Sequence, residues 1–139
     1  MRTIQLLGVG KMTRRYLDES EANSAIRRGK SVEIFLGPCE ASGESGIRWA
    51  SASRVESGVE LSVFEVQDEG SPEYLDIYEF TPLRDDLCPG EPTERVNIAS
   101  VSEIGAFVRS RYGIAMPGLV NEGVVQDEYK TYIEARQGQ

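Results

Sequence analysis

Several β-rich segments separated by local connections constrain the fold more than any other feature of the sequence. Branched and aromatic residues, which favour strands, are concentrated at 31–36, 47–54 and 59–67, and Gly, Ser and Glu fill the intervals. Local connections of this kind join neighbouring strands of an antiparallel sheet. The start of the chain, RTIQLLGV at 2–9, alternates weakly between polar and apolar residues and predicts a further strand.

The segment YLDIYEF at 74–80 follows the turn DEGSP and predicts another strand. Alternation would place Leu75 and Ile77 on one face and the tyrosines with Asp76 on the other. If the aliphatic face is core, the exposed Tyr-Asp-Tyr face suits protein binding, because tyrosine is enriched in interface cores. If the aromatic face is core, Asp76 is buried and needs a hydroxyl, an amide or an arginine as a partner. The sequence leaves both alternatives open.

Two helices begin with the spacing of a capping box, in which an N-cap side chain and a glutamate three residues later satisfy free backbone N–H groups. Asp18 and Glu21 have this spacing and predict a helix at 18–28. Ser100 and Glu103 have it again, at the start of an amphipathic segment that gives the clearest helical pattern in the chain.

The chain end and the order of the elements complete the predicted fold class. Residues 124–137 carry apolar side chains at helical spacing, although YKTYIEA within them also suits a strand. A sequence that runs from β to α, through several locally connected strands, to helical elements at the end predicts an α+β fold. We therefore expect a single globular domain over 1–139, with a mainly antiparallel sheet and two or three helices packed on one side.

Charge is distributed very unevenly along the chain, whose net charge is −8. Residues 1–30 carry seven basic and three acidic side chains, a net charge of +4, whereas 56–94 carry twelve acids and the single base Arg84, a net charge of −11. The acidic region argues against binding nucleic acid through a broad basic surface. It favours a basic partner, because a surface of one sign accelerates encounter and rejects partners of the same sign.

The residue types that are missing exclude several kinds of site. The chain has no histidine, which is the commonest general base and the commonest metal ligand. Cys39 and Cys88 alone cannot complete a usual structural zinc site, and two free thiols are expected in the cytoplasm. No apolar run approaches the ~20 residues of a membrane span, and the first apolar run is too short for a signal peptide. We therefore expect a cytoplasmic protein without a cofactor, a metal site or catalytic residues.

Two local motifs have alternative interpretations. LGVGKMT at 7–13 superficially resembles a phosphate loop, but it lacks the spacer before Gly-Lys, so a strand ending in a glycine turn is favoured. The six acids between Glu65 and Glu79 are compatible with an acid/base pair, a hard-cation site or a solvated face that prevents edge-to-edge sheet association. The ordered acidic loop of calcium-binding proteins is absent from this run. Trp49 alternates with Ile47 and is expected in the core.

The arrangement of segments in the second half of the chain is similar to that of a known class of proteins. GVELSVFEVQ, EYLDIYEF, a proline-rich loop, SVSEIGAFVRSRYG and Pro117 follow one another. In this layout, which covers 47–120, the chain resembles immunity proteins of bacterial polymorphic-toxin and contact-dependent inhibition systems, in particular those paired with deaminase and nuclease toxins. It departs from their pattern at the end, where no tryptophan motif closes the chain. The resemblance implies a non-enzymatic inhibitor that binds a toxin domain tightly, and it identifies no site residues.

The leading hypothesis is therefore a cytoplasmic immunity protein, a monomer or small homo-oligomer, that neutralises a basic toxin and binds neither nucleic acid nor membrane. One alternative is a small enzyme or ligand-binding domain with an Asp/Tyr pocket. Another is a DNA mimic, which needs acids spaced like phosphates along an elongated surface. The predicted partner-binding residues are acids and tyrosines of two loops and the strand between them: Asp68, Glu69, Glu73, Tyr74, Asp76, Tyr78, Glu79, Asp85 and Asp86.

Overall fold

A five-stranded antiparallel sheet and three α-helices make up the part of the chain that the computed structural model describes, residues 15–41 and 43–137. The predicted α+β fold class is therefore confirmed. The strand predicted at 2–9 and the Gly-Lys motif at 7–13 lie outside the described residues.

The helices are α1 (Glu19–Arg27), α2 (Ile104–Tyr112) and α3 (Val125–Gln137). The strands are β1 (Val32–Ala41), β2 (Glu44–Val55), β3 (Gly58–Val66), β4 (Glu94–Ile98) and β5 (Leu119–Asn121). Short 3₁₀ helices form at Ile77–Glu79 and Val101–Glu103. The order across the sheet is β4-β3-β2-β1-β5. None of the described helices has the length and apolar character that crossing a membrane requires.

The strands predicted at 31–36, 47–54 and 59–67 form the three central strands of the sheet, and a tight turn joins the second to the third. Val55 of β2 pairs with Gly58 of β3, so only two residues lie in that turn. The register places Trp49 of β2 beside Phe35 of β1 and Phe64 of β3. Three aromatic side chains are therefore neighbours on one face of the sheet.

Both faces of the sheet are covered, because apolar side chains of the central strands point to both sides. On one face, side chains of β1, β2 and β3 pack with α1 and α2, among them Ala22, Ile104 and Val108. On the other face, Trp49 packs in a cluster that includes Tyr129 of α3. Two helices thus share one face, and α3 covers the opposite one. Trp49 is 3% exposed, which confirms its predicted place in the core.

The prediction of a strand at 74–80 is wrong. Ile77–Glu79 form a turn of 3₁₀ helix, and the fully buried residues of the segment are Ile77 and Phe80, which are three residues apart. That spacing fits a helical turn, whereas alternation would have put the two side chains on opposite faces. The physical reason is that the edge of β3 is already taken. Strand β4 pairs with β3 along Val59–Val63, so 74–80 cannot add to the sheet there.

The segment that follows β3 therefore crosses the face of the sheet and is fastened to the end of that strand. The Gln67 N–H donates to the carbonyl of Thr81 at 2.7 Å, and the Leu83 N–H donates to the carbonyl of Glu65 at 3.0 Å. These bonds close residues 67–81 into a loop with neighbouring ends. Strands β4 and β5 were not predicted, because both are short and lie next to proline- and glycine-containing segments.

The two cysteines are free thiols, as predicted. Cys39 is half-buried in β1, and Cys88 is exposed in the loop before β4. Burial raises the pKa of the Cys39 thiol to about 11. The thiol therefore stays protonated near neutral pH and is a poor nucleophile.

The capping box predicted for α1 is confirmed. The Asp18 carboxylate accepts a hydrogen bond from the Glu21 N–H at 2.8 Å, and the Glu21 carboxylate accepts one from the Asp18 N–H at 2.9 Å. Ahead of α2, Ser100 caps the 3₁₀ turn by accepting from the Ser102 N–H, and Glu103 accepts from the N–H of residue 99. In the predicted box, the Ser100 side chain would accept from the Glu103 N–H and the Glu103 side chain from the Ser100 N–H. Each observed bond uses the N–H one residue earlier in the chain.

Replacing Asp18 with Ala is expected to lower the free energy of unfolding by about 1 kcal/mol, because the first turn of α1 loses the acceptor of one N–H. Urea denaturation followed by circular dichroism measures the change. Glu134→Ala is the control, since Glu134 is exposed on α3 and makes no side-chain hydrogen bond with the described residues. Equal losses in the two variants would contradict a stabilising role for the cap.

Candidate functional site

Three carboxylates lie near an exposed tyrosine in the loop that crosses the sheet, and a fourth belongs to the residue before it. Tyr74 is 41% exposed, and it is one of only two large hydrophobic residues so exposed among the described residues. Partial desolvation and the negative charges of Glu79, Asp76 and Glu69 raise the pKa of the Tyr74 hydroxyl. Glu73 is its neighbour in a tight turn closed by Ser71 and Tyr74. We call these residues the acidic surface: Glu69, Glu73, Tyr74, Asp76 and Glu79.

No arginine or lysine among the described residues compensates the charges of the acidic surface. None of its four carboxylates forms an ion pair with any residue in 15–41 or 43–137. The Glu69 carboxylate accepts from the N–H and the hydroxyl of Thr81, each at 2.8 Å. Among the described residues, the Asp76 carboxylate has one hydrogen-bond contact, a long one of 3.5 Å from the amide of Gln126. Within the described residues, no ion pair therefore balances the negative charge of the acidic surface.

The other three predicted acids lie outside the acidic surface, and two of them are paired with arginine. Asp68 forms an ion pair with Arg136 of α3, and Asp86 forms one with Arg84 at 2.6 Å. The hydrogen bond from Arg84 holds the pKa of Asp86 below its usual range. Asp85 is exposed and makes no ion pair with the described residues. Asp68 and Asp86 consequently contribute less negative field than their formal charges suggest.

Helix α3 fixes the start of the acidic surface through the hydroxyl of Tyr129. This side chain is fully buried; its hydroxyl donates to the Asp68 carboxylate and accepts from the Gly70 N–H at 2.9 Å. Burial and the Asp68 carboxylate raise the pKa of Tyr129. A Cβ atom at Gly70 would lie 2.5 Å from the Tyr129 hydroxyl, so the close approach requires glycine here.

Tyr78 does not belong to the acidic surface, although it was predicted with it. Its half-buried hydroxyl lies 2.9 Å from each oxygen of the Glu33 carboxylate, to which it donates. Burial, followed by the charge of Glu33, raises the pKa of Tyr78. Tyr78 therefore points to a site that sequence reasoning missed.

Glu33 is a buried carboxylate in the middle of the sheet. It is 3% exposed, the only charged residue among the described ones that is so buried, and it also accepts from the Gly123 N–H at 2.8 Å. Burial raises the pKa of Glu33, in opposition to the hydrogen bonds from Gly123 and Tyr78, which lower it. A single glutamate in the apolar segment SVEIFLG was the available signal, because a strand covered on both faces has no solvent for a charge.

An open pocket of about 410 Å³ lies against Glu33. Within its wall, the ring of Trp49 stacks on Phe64 with centroids 4.2 Å apart, and Tyr78 meets Trp49 edge-on at 5.1 Å. The Trp49 Nε1–H is buried and has no hydrogen-bond partner among the described residues. We call this the Glu33 pocket; the residues that line it are Ser31, Glu33, Trp49, Ser51, Phe64, Tyr78, Glu122 and Gly123.

The described residues hold no group of three or more His, Cys, Asp or Glu side chains placed to bind a metal ion. Comparisons of the chain with protein-family models, curated proteins and solved structures find no match. Function therefore has to be inferred from the chemistry of the acidic surface and of the Glu33 pocket.

Proposed function

We propose that the protein is a cytoplasmic bacterial immunity protein that binds a basic toxin domain through the acidic surface and thereby neutralises it. The observation that carries the proposal is the exposed Tyr74, with the carboxylates of Glu69, Asp76 and Glu79 near it and Glu73 beside it in the chain. None of these four acids has a cationic partner in 15–41 or 43–137. The resemblance to immunity proteins in the order of the segments suggests a toxin as the partner, and the segment at 74–80 departs from it by forming a 3₁₀ turn in place of a strand.

Inhibition requires no chemistry by this chain. Uncompensated carboxylates attract a basic surface over a distance of about 10 Å at ordinary ionic strength and so raise the association rate. Tyr74 then supplies an anchor, because an exposed tyrosine combines apolar contact area with a hydroxyl that can hydrogen bond. Bound in this way, the protein covers a basic active-site surface and excludes its substrate.

The geometry narrows the predicted interface. Glu69, Glu73, Asp76 and Glu79 supply the free charge around Tyr74. Asp85 adds an exposed charge from the following loop, whereas the charges of Asp68 and Asp86 are already paired within the chain. Tyr78 serves the Glu33 pocket instead.

Replacing Glu73, Glu79 and Asp85 together with Lys is expected to slow association with the partner about tenfold or more at low salt, because the attractive field changes sign. The test partner is the product of the gene adjacent to this one. Stopped-flow mixing measures the association rate of the purified proteins, and growth of a bacterial host that expresses both genes measures neutralisation.

The matched control carries Lys at Glu19, Glu56 and Glu134, three exposed acids of α1, of the turn between β2 and β3, and of α3. It changes the net charge by the same amount and should associate nearly as fast as the natural protein and still restore growth. Equal slowing in both variants would mean that the net charge of the protein, and not the acidic surface, determines the association rate. No slowing in either variant would contradict the proposal that the acidic surface is the interface.

A further inference from the structure

We propose that the Glu33 pocket binds a guanidinium group, presented either by a small guanidino compound or by an arginine side chain of another protein. The pocket shares no residue with the acidic surface. The inference therefore stands apart from the proposed immunity function, and each can fail without the other.

The charges of the pocket call for a cation. Of the described residues, two carboxylates line the pocket, Glu33 and Glu122, and no lysine or arginine does. The donors to Glu33 are all neutral groups: the hydroxyl of Tyr78 and the backbone N–H groups of Gly123 and Val125. A carboxylate can accept about four hydrogen bonds, so Glu33 retains room for about one more donor. A buried carboxylate without a cation is costly, and a guanidinium would offer it a charged N–H donor.

The aromatic wall favours a flat cation. Trp49, Phe64 and Tyr78 line the pocket, and guanidinium groups stack on such rings more readily than ammonium groups do. On the opposite face of the sheet, the same chain already binds an arginine side chain with an aromatic ring and a carboxylate. There the Arg48 guanidinium lies 4.0 Å from the centre of the Tyr112 ring and bonds to Glu65 at 2.8 Å.

An unpaired donor in the wall is the second, independent sign of a missing ligand. Trp49 is 3% exposed, and its Nε1–H lacks an acceptor among the described residues, although buried donors are almost always paired. Because this nitrogen has almost no exposed surface, a ligand carbonyl oxygen could pair with it only after the indole ring shifts. Ser31 and Ser51 add hydroxyl oxygens to the lining that can accept further N–H groups.

Trp49 is the only tryptophan in the chain, so its fluorescence reports directly on the pocket. We expect N-acetyl-L-argininamide to change this fluorescence saturably with a Kd of about 1 mM, ordinary for a single side chain. N-acetyl-L-citrullinamide, which has nearly the same shape without the charge, should bind at least about tenfold more weakly. L-Arginine with free termini distinguishes the two sources of the guanidinium group. If it binds more tightly than N-acetyl-L-argininamide, the ligand is a free small compound. If the two bind equally, the ligand is an arginine side chain of another protein.

Two variants assign the binding to named residues. Glu33→Gln keeps the size of the side chain and should weaken argininamide binding about tenfold, whereas Glu40→Gln, an exposed acid on the same strand, should leave it unchanged. Glu122→Gln at the exposed rim should weaken it about twofold to threefold, and serves if the first variant does not fold. Equal binding of the citrulline probe, or no saturable change with either arginine probe, overturns the proposal. Unchanged binding in both the Glu33 and the Glu122 variants overturns it as well.

Discussion

Replacing Tyr129 with Ala is expected to lower the free energy of unfolding by about 4 kcal/mol, a large share of the stability of a small domain. Tyr129 is fully buried and packs edge-on against Phe80, with ring centroids 5.4 Å apart. Its loss leaves a cavity between α3 and the crossing loop, and it removes the hydroxyl that Asp68 and Gly70 share. Urea denaturation followed by near-ultraviolet circular dichroism measures the loss.

Tyr129→Phe separates the hydroxyl from the ring. It should cost about 2 kcal/mol, because the Gly70 N–H is left without an acceptor in a part-buried site. The matched control is Tyr132→Phe, one turn further along α3, whose hydroxyl makes no hydrogen bond with the described residues and whose loss should be within about 0.5 kcal/mol. If the two phenylalanine variants were equally stable, the hydroxyl of Tyr129 would not hold the start of the acidic surface.

The parts of the fold that were predictable from sequence depend on nearby residues. The start of α1 needs only Asp18 and Glu21, three positions apart. The central strands need only branched and aromatic residues between turns, and Trp49 needs only its alternation with Ile47. Each of these features is decided within one turn or one hairpin, so local preferences and the final structure agree.

The parts that were not predictable depend on distant residues. The segment 74–80 has a strand composition, but the edge of β3 pairs with β4, so the segment takes up a helical turn on the sheet face. The surroundings of Glu33 come from Tyr78 and Gly123, which are 45 and 90 residues away in sequence. The acidic loop was predictable because its charges can be counted in the sequence. The Glu33 pocket was not predictable because it forms only when residues distant in sequence come together in the fold.

Replacing Tyr78 with Phe is expected to lower the free energy of unfolding by about 2 kcal/mol at pH 7, because the buried Glu33 carboxylate loses a donor to its charged form. The cost should fall to about 1 kcal/mol at about pH 4, where Glu33 is protonated and only a neutral hydrogen bond is lost. Urea denaturation at the two pH values measures the difference. Phe keeps the aromatic contact with Trp49, so packing changes little.

The sign of the pH dependence follows from the raised pKa of Glu33 in the folded state, whose first cause is burial. The folded state binds this proton more tightly than the unfolded state does, so Glu33 makes stability fall as the pH rises from the ordinary value of 4.5 through the raised value. Below that window the penalty is absent, and above it the penalty is complete. Glu33→Gln should remove this contribution, and the variant should gain stability relative to the natural protein as the pH rises to 7.

A double-mutant cycle over Glu33→Gln and Tyr78→Phe isolates the pair. At pH 7 the two changes should be coupled by about 1 kcal/mol. Tyr78→Phe removes a hydrogen bond to a charged acceptor when residue 33 is Glu, and to a neutral acceptor when it is Gln. At about pH 4 the coupling should nearly vanish, since the acceptor is then neutral in both backgrounds. Coupling near zero at both pH values would mean that Glu33 stays protonated in the folded state at pH 7. In that case the carboxylate would not be available in its charged form to bind a cation near neutral pH.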